Sequence, residues 1–181
     1  MTAAPIGAVL CGGASRRMGV DKATIQVDGV AMARRLADTL VAAGCSRVVA
    51  IGGDSTLLGD LGLEYIDDEF PGEGPLGGIL TGLALGSPAV VVACDLPTLR
   101  SATVEALVAA LDGHDVAVAF TDRAEPLCAV WSGRSAEELR RQFEAGERAV
   151  HRAIDGLDIA WVTVPATDLH NINTPGDLGN L

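Results

Sequence analysis

Short β-branched runs alternate with Ala/Leu-rich stretches along most of this chain, and that alternation constrains the fold more than any other feature. The runs IGAVLC (6–11), RVVAIGG (47–53), LEYID (63–67), AVVVAC (89–94) and DVAVAF (115–120) read as strands, with a loop after RVVAIGG. Residues 32–43, 77–85 and 101–111 read as helices. Apolar runs such as AVVVAC lack an in–out alternation, which suits parallel strands covered on both faces. The first two-thirds therefore predict a doubly wound α/β sheet with a ligand crevice at the carboxyl ends of its strands. Beyond residue 120 come PLCAVW (126–131), a charged helix over 135–144, a second helix over 147–154 and the strand IAWVTV (159–164). No linker, repeat or low-complexity segment divides residues 1–181, so one domain is expected. Ser101 is placed to cap the helix it opens, with Glu105 in the first turn.

Composition removes several function classes. Apolar residues make up 49% of 181, enough for a buried core, while the aromatic share of 3% leaves little surface for stacking on bases. Thirteen basic against 24 acidic residues give a net charge of −11, which repels a phosphate backbone and argues against a nucleic-acid partner. Every apolar run is broken well short of the about 18 residues a membrane span needs. The N-terminus, MTAAPIGAVLCGG, has no basic region before its apolar stretch, so it reads as a first strand rather than a signal peptide, and a cytoplasmic location is expected. Cys11, Cys45, Cys94 and Cys128 are widely separated, which suits four reduced, mostly buried thiols and no zinc site. His114, His151 and His170 form no ligand or nucleophile pattern.

The loops after the strands carry the candidate chemistry. LCGGASRRMGVDK (10–22) follows the first strand: Gly12 and Gly13 permit a sharp turn offering N–H groups as an anion nest, and Arg16, Arg17 and Lys22 add three cations. A di- or triphosphate would fit, although neither G-x-x-x-x-G-K-[ST] nor G-x-G-x-x-G is present, and a plain glycine turn with solvated arginines is the competing reading. Lys22 is the chain's only lysine beside twelve arginines, and a compact ammonium suits a phosphate where a planar fork does not fit. Asp95 ends AVVVAC at the expected crevice, where a carboxylate can hold Mg²⁺ bridging phosphates or simply open a turn before Pro97. In the acidic Gly/Pro loop at 67–78, Asp68 and exposed N–H groups could meet a purine edge or ribose, or the loop could be merely solvated. Asn171, Asn173 and Thr174 could bond their own backbone and cap a final short helix.

Taken in order and spacing, LCGGASRRMGVDK, GPLGG (74–78), ACDLP (93–97) and NINTPGDL (171–178) resemble the molybdenum cofactor guanylyltransferase family over nearly the whole chain. The first motif is shared by the nucleotidyltransferase superfamily, and the second and last narrow the match to the guanylyl branch. The resemblance implies a three-layer, Rossmann-like nucleotidyltransferase fold with a mostly parallel mixed sheet. It further implies transfer of GMP from GTP to the terminal phosphate of molybdopterin, with release of pyrophosphate. Residues 1–120 would be the nucleotide-binding half and 121–181 the acceptor-binding half. Leu10, Gly12 and Gly13 would line the nucleotide, Arg17 and Lys22 would neutralise phosphates, Asp95 would hold Mg²⁺ and Asp68 would touch the nucleotide. Asn171 and Asn173 would lie on the pterin side, as would Arg148, in a segment (144–148) that resembles a basic motif of the family. Cofactor-delivery or molybdoenzyme proteins would be further partners. Where some members carry Asn after the second strand, this chain has Ile51-Gly52-Gly53, which leaves base recognition to backbone groups or Asp68. Alternatives are a related enzyme using CTP or a sugar phosphate, a nicotinamide oxidoreductase, which the missing G-x-G-x-x-G opposes, and a non-catalytic GTP-binding delivery protein.

Overall fold

The structure, a computed structural model, describes residues 3–12, 21–172 and 177. The first strand, β1 (Ile6–Leu10), is followed after residues 13–20 by a 3-10 turn at Lys22–Thr24 and a small hairpin, β2 (Gln26–Val27) and β3 (Val30–Ala31). Then come α1 (Met32–Ala42), β4 (Arg47–Ile51), α2 (Ser55–Asp60), β5 (Glu64–Ile66), α3 (Pro75–Leu85) and β6 (Ala89–Ala93). The remainder is α4 (Ser101–Ala110), β7 (Val116–Phe120), β8 (Ala124–Trp131), α5 (Ser135–Glu144), α6 (Val150–Ala153) and β9 (Ile159–Thr163), closed by a 3-10 turn at Ala166–Leu169.

The sheet runs in the order β5-β4-β1-β6-β8-β7-β9. Only β8 opposes its neighbours; the other pairings, β1 with β4 and β6, β4 with β5, and β7 with β9, are parallel. The expected α/β class and mostly parallel mixed sheet are therefore observed. Val90, Val91 and Val92 of β6 are fully buried because both faces are covered, as the unalternating run requires. Helices α1 and α4 pack on one face against Val9, Val90 and Val92. On the other, α3, α5 and α6 pack against Ala8, Val91 and Trp131. Trp131 is accommodated because its register partner on β6 is Ala89.

Several local expectations are corrected. The loop expected after β4 contains α2, which Asp54 starts by accepting hydrogen bonds from the Thr56 and Leu57 amides. Helix α3 begins at Pro75 rather than 77, with proline in its first turn, where the missing amide N–H has no intrahelical role. Helix α6 is only Val150–Ala153, shorter than 147–154. Ser101 does not cap α4: Arg100 occupies the cap position with no side-chain bond to the helix, and no acidic residue lies in the first turn. Among the described residues no helix is long and apolar enough to cross a membrane, and all four cysteines are buried.

Candidate active site

From β1 the chain proceeds to β4 and β5 on one side of the sheet and later to β6 on the other, so β1 and β6 flank the topological switch. In open α/β sheets ligands bind outside the carboxyl ends of the strands at such a point. Lys22 and Asp95 meet there, with Nζ of Lys22 3.5 Å from Oδ2 of Asp95 and side chains 17% and 23% exposed. Lys22 is delivered by its 3-10 turn, which Asp21 caps by accepting a hydrogen bond from the Ala23 amide at 3.0 Å. Asp95 sits just past β6 on a loop tied down by α1: Arg35 Nε donates to the Pro97 carbonyl at 3.0 Å and the Thr39 hydroxyl to that of Leu99 at 3.3 Å. A lysine and an aspartate 73 positions apart are thus brought together. Neither Arg35 nor Thr39 has a local sequence signal, since both act across the fold.

The floor beside this pair is made of closely packed backbone. Cys11 N–H and Gly12 N–H both donate to the Ile51 carbonyl, at 2.9 and 3.2 Å. The Gly12 amide is thus turned to a neighbouring strand, which corrects its expected place in an anion nest; Gly13, Arg16 and Arg17 lie outside the described residues. Gly52 (φ +68°) and Gly53 (φ +86°) adopt the left-handed region, and a Cβ on Gly52 would stand 3.1 Å from Gly12 Cα. Ile51-Gly52-Gly53 is therefore a close-approach device that brings the ends of β1 and β4 together. The Cys11 thiol, hydrogen-bonded to Cys94 and buried, is pushed well above the ordinary thiol range and stays protonated. Leu10 turns its side chain into the core, 3.0 Å from where a Cβ on Gly78 would be, so only its backbone reaches the crevice rim.

Asp68 lies next to this floor, with its Cβ 3.7 Å from the position of a Gly52 Cβ. Its Oδ1 accepts from the Phe70 amide at 2.9 Å, and the Thr81 hydroxyl lies 3.2 Å from the same atom while accepting from the Glu69 amide at 3.1 Å. Asp68 thus pins the start of the acidic Gly/Pro loop. The far part of that loop is held by Arg148, whose Nε donates to Glu73 at 2.6 Å and whose guanidinium lies 3.9 Å over the Phe143 ring. Arg148 also donates to the Phe143 and Glu147 carbonyls at 2.6 and 2.8 Å.

On the opposite flank, Ile172 N–H donates to the Asp95 carbonyl at 3.0 Å, which brings Asn171 beside the Asp95 loop. Asn171 lines a polar cavity of about 300 Å³ together with Thr121, Arg123, Glu125 and His170. Arg148 does not line it, so the structure does not gather the expected acceptor residues in that cavity; Asn173 lies outside the described residues. A metal was expected at Asp95. Among the described residues there is no group of three or more His, Cys, Asp or Glu able to hold one. A single partly accessible carboxylate loosely paired with Lys22 fits Mg²⁺, which keeps several waters and is bound through one or two carboxylates plus substrate phosphates.

The family of the MobA-like NTP transferase domain matches residues 7–159. A relative from Chloroflexus aggregans, named a probable molybdenum cofactor guanylyltransferase, is 34% identical, with 95% of this chain and 90% of the relative covered. One from Cereibacter sphaeroides, named molybdenum cofactor guanylyltransferase, is 32% identical over 95% and 92%. The crystal structure of molybdopterin-guanine dinucleotide biosynthesis protein A from Archaeoglobus fulgidus superposes with a TM-score of 0.80 at 26% identity, over 97% of this chain and 95% of that one. With its fold and most of its length matched in this way, the chain belongs to the MobA-like NTP transferase family and is a nucleotidyltransferase.

Proposed function

We propose that this chain transfers GMP from GTP to the terminal phosphate of molybdopterin, releasing pyrophosphate and forming the guanine dinucleotide, in the cytoplasm. The names of the relatives support the substrates, and the observation that carries the site is the Lys22–Asp95 pair at the β1/β6 switch. Residues 1–120 would handle the nucleotide and 121–181 the acceptor. Cofactor-delivery or molybdoenzyme proteins remain its proposed partners.

An oxygen of the acceptor phosphate attacks the α-phosphorus of GTP, and the bond from that phosphorus to the pyrophosphate oxygen breaks. The nucleophile is already anionic at neutral pH, so the protein's task is to bring two polyanions together and to stabilise the charge growing on pyrophosphate. Lys22 meets that charge as a point cation, with Arg17 as its sequence neighbour in the task. Asp95 would hold Mg²⁺, which supplies charge neutralisation across the phosphates when bound. The Leu10 backbone and Gly12 would border the nucleotide, as would Gly13, outside the described residues, and Asp68 would contact the nucleotide while fixing the loop that Glu73 continues. Asn171 and, by its place in the sequence, Asn173 would serve the acceptor. For Arg148 the contacts support holding the 72–74 loop against α5 in preference to touching the acceptor.

Thermal melting with nucleotides tests this reading. Mg·GTP at 100 times its dissociation constant stabilises by about 2.7 kcal/mol, a shift of roughly 5–10 °C for a domain of this size. CTP should shift it far less, and equal protection by the two nucleotides would defeat the guanylyl assignment. Pyrophosphate release from GTP that depends on molybdopterin separates an enzyme from a GTP-binding delivery protein.

A further inference from the structure

Among the described residues, Asp168 is the only buried charged side chain, 2% exposed. Its Oδ1 accepts from Arg100 Nε at 2.8 Å and its Oδ2 accepts from the Thr103 hydroxyl. Arg100 is the cap residue of α4 and Thr103 lies in that helix's first turn, and the cap itself makes no side-chain bond. A carboxylate arriving from 65 residues away thus occupies the positive end of α4, where negative charge is favoured.

The turn that carries Asp168, Ala166–Leu169, runs directly into Asn171. Three residues before Asn171 the chain is fixed by Asp168 on α4. One residue after it the chain is fixed by the Ile172 amide on the Asp95 carbonyl, and by the fully buried Ile172 side chain beside Val27 and Met32. Ala166, Leu169 and His170 of the same segment form one wall of the cavity that Asn171 lines.

We propose that Asp168 is a positioning residue for the acceptor: by locking the 166–171 segment onto α4, it sets where Asn171 and the cavity wall stand relative to Asp95. The inference rests on the reading that the acceptor binds beside Asn171. Among the described residues the clamp bonds neither Gly12, Gly52 nor Gly53, and it meets the Asp95 loop only through the backbone of Ile172, so its effect should fall mainly on the acceptor. A displacement of about 1 Å in a positioning element costs up to about a hundredfold in rate.

The test is steady-state kinetics with GTP and molybdopterin each varied, on wild type, Asn171→Ala, Asp168→Asn and the surface substitution Arg100→Gln, which weakens the same clamp if Asp168→Asn does not fold. Asn171→Ala checks the underlying reading and should raise the molybdopterin KM. Asp168→Asn should raise it about tenfold or more while leaving the GTP KM within twofold, and Arg100→Gln should do the same more weakly. If Asn171→Ala raises the molybdopterin KM but neither clamp variant does, or if both KM values move together, the positioning role is overturned and the reading stands. If Asn171→Ala is neutral, the acceptor lies elsewhere and both are overturned.

Discussion

Substituting alanine at Gly53 separates the two reasons for a glycine at the crevice floor. Gly53 has φ +86°, and a Cβ there would lie 3.1 Å from the Cys11 carbonyl oxygen, 3.2 Å from Cys11 Cβ and 3.3 Å from Leu58 Cδ1. The left-handed conformation costs a residue with a Cβ about 1–2 kcal/mol. Crowding against a backbone carbonyl that cannot rotate away adds about 1–3 kcal/mol. Gly44 supplies the control for the first effect alone, with φ +87° and nothing within 4 Å. Gly59, inside α2, has neither a positive φ nor a neighbour, so alanine there should stabilise by about 0.5–1 kcal/mol. The expected order of stability is therefore Gly59→Ala above wild type, Gly44→Ala below it by about 1–2 kcal/mol, and Gly53→Ala lowest at about 2–5 kcal/mol. In melting temperature, at about 2–4 °C per kcal/mol for this size, Gly53→Ala should fall by roughly 4 °C or more. Because the contact is with Cys11, whose amide shares the Ile51 carbonyl with Gly12, Gly53→Ala should also weaken protection by Mg·GTP, whereas Gly44→Ala should not. Urea unfolding of the three variants with and without Mg·GTP decides the matter. Equal losses at Gly44 and Gly53, with nucleotide protection intact in both, would refute the claim that this floor is held by close backbone approach.

Other substitutions probe the charges. Lys22→Ala should lower kcat by about 10²–10³ with a smaller change in the GTP KM, since its charge is needed most as pyrophosphate leaves, and Lys22→Arg should restore only part; near-normal kcat in both would end that role. Asp95→Asn should fold normally yet lose turnover at ordinary Mg²⁺, which metal titration against pyrophosphate release would show. Arg152 and the Ala149 amide hold the Glu147 carboxyl down to about 2. A depressed folded pKa gives stability that is present above about 4.5 and lost as pH falls towards 2, so Glu147→Gln should flatten the acid limb of a stability-versus-pH curve over that window. Burial pushes the Cys45 thiol up to about 11 and that of Cys128 to about 12. Raised folded values give stability present below pH 9 and lost as pH rises through 11–12, and Cys45→Ala should soften the alkaline transition.

What could be read from the sequence follows the physical range of each signal. Strands such as Ala89–Ala93 are legible because burial on both faces leaves an unbroken apolar run. The β2–β3 hairpin escapes periodicity, since each strand has two residues, although Asp28-Gly29 with φ +51° and +78° is the pair that a tight hairpin turn demands. Helix α2 is marked only by Asp54 and carries the poor helix former Gly59, and six residues are too few for a helical period. The insertion of β8 between β6 and β7 is invisible locally, because sequential strands give no account of pairing order. In the site, Lys22 and Asp95 stand out by residue type and by position after a strand. Arg35, Thr39, Thr81 and Asp168 do not, as each acts on backbone or side chains brought near by the fold alone. Arg148 illustrates the converse: its motif suggested a ligand contact, and three-dimensional packing supplies Glu73 and Phe143 as its partners.

The proposed role of the Lys22–Asp95 pair would let a chain of net charge −11 accept a polyanion. At 3.5 Å and about one-fifth exposed, the pair is neither tight nor sealed from water. At that length the contact is long for a charge-assisted hydrogen bond, which runs about 2.7–2.9 Å, so other partners can compete for both groups. In the proposed reading a phosphate would take the ammonium while a hard cation takes the carboxylate, each forming a charge-assisted contact. Asp168 differs: its carboxylate is sealed from water and bonded to Thr103 as well as to Arg100, so losing those partners would leave a buried charge unpaired. The two aspartates therefore divide by burial: the partly accessible Asp95 suits the proposed exchange of ligands at the crevice, and the sealed Asp168 suits the proposed role of holding a wall in place.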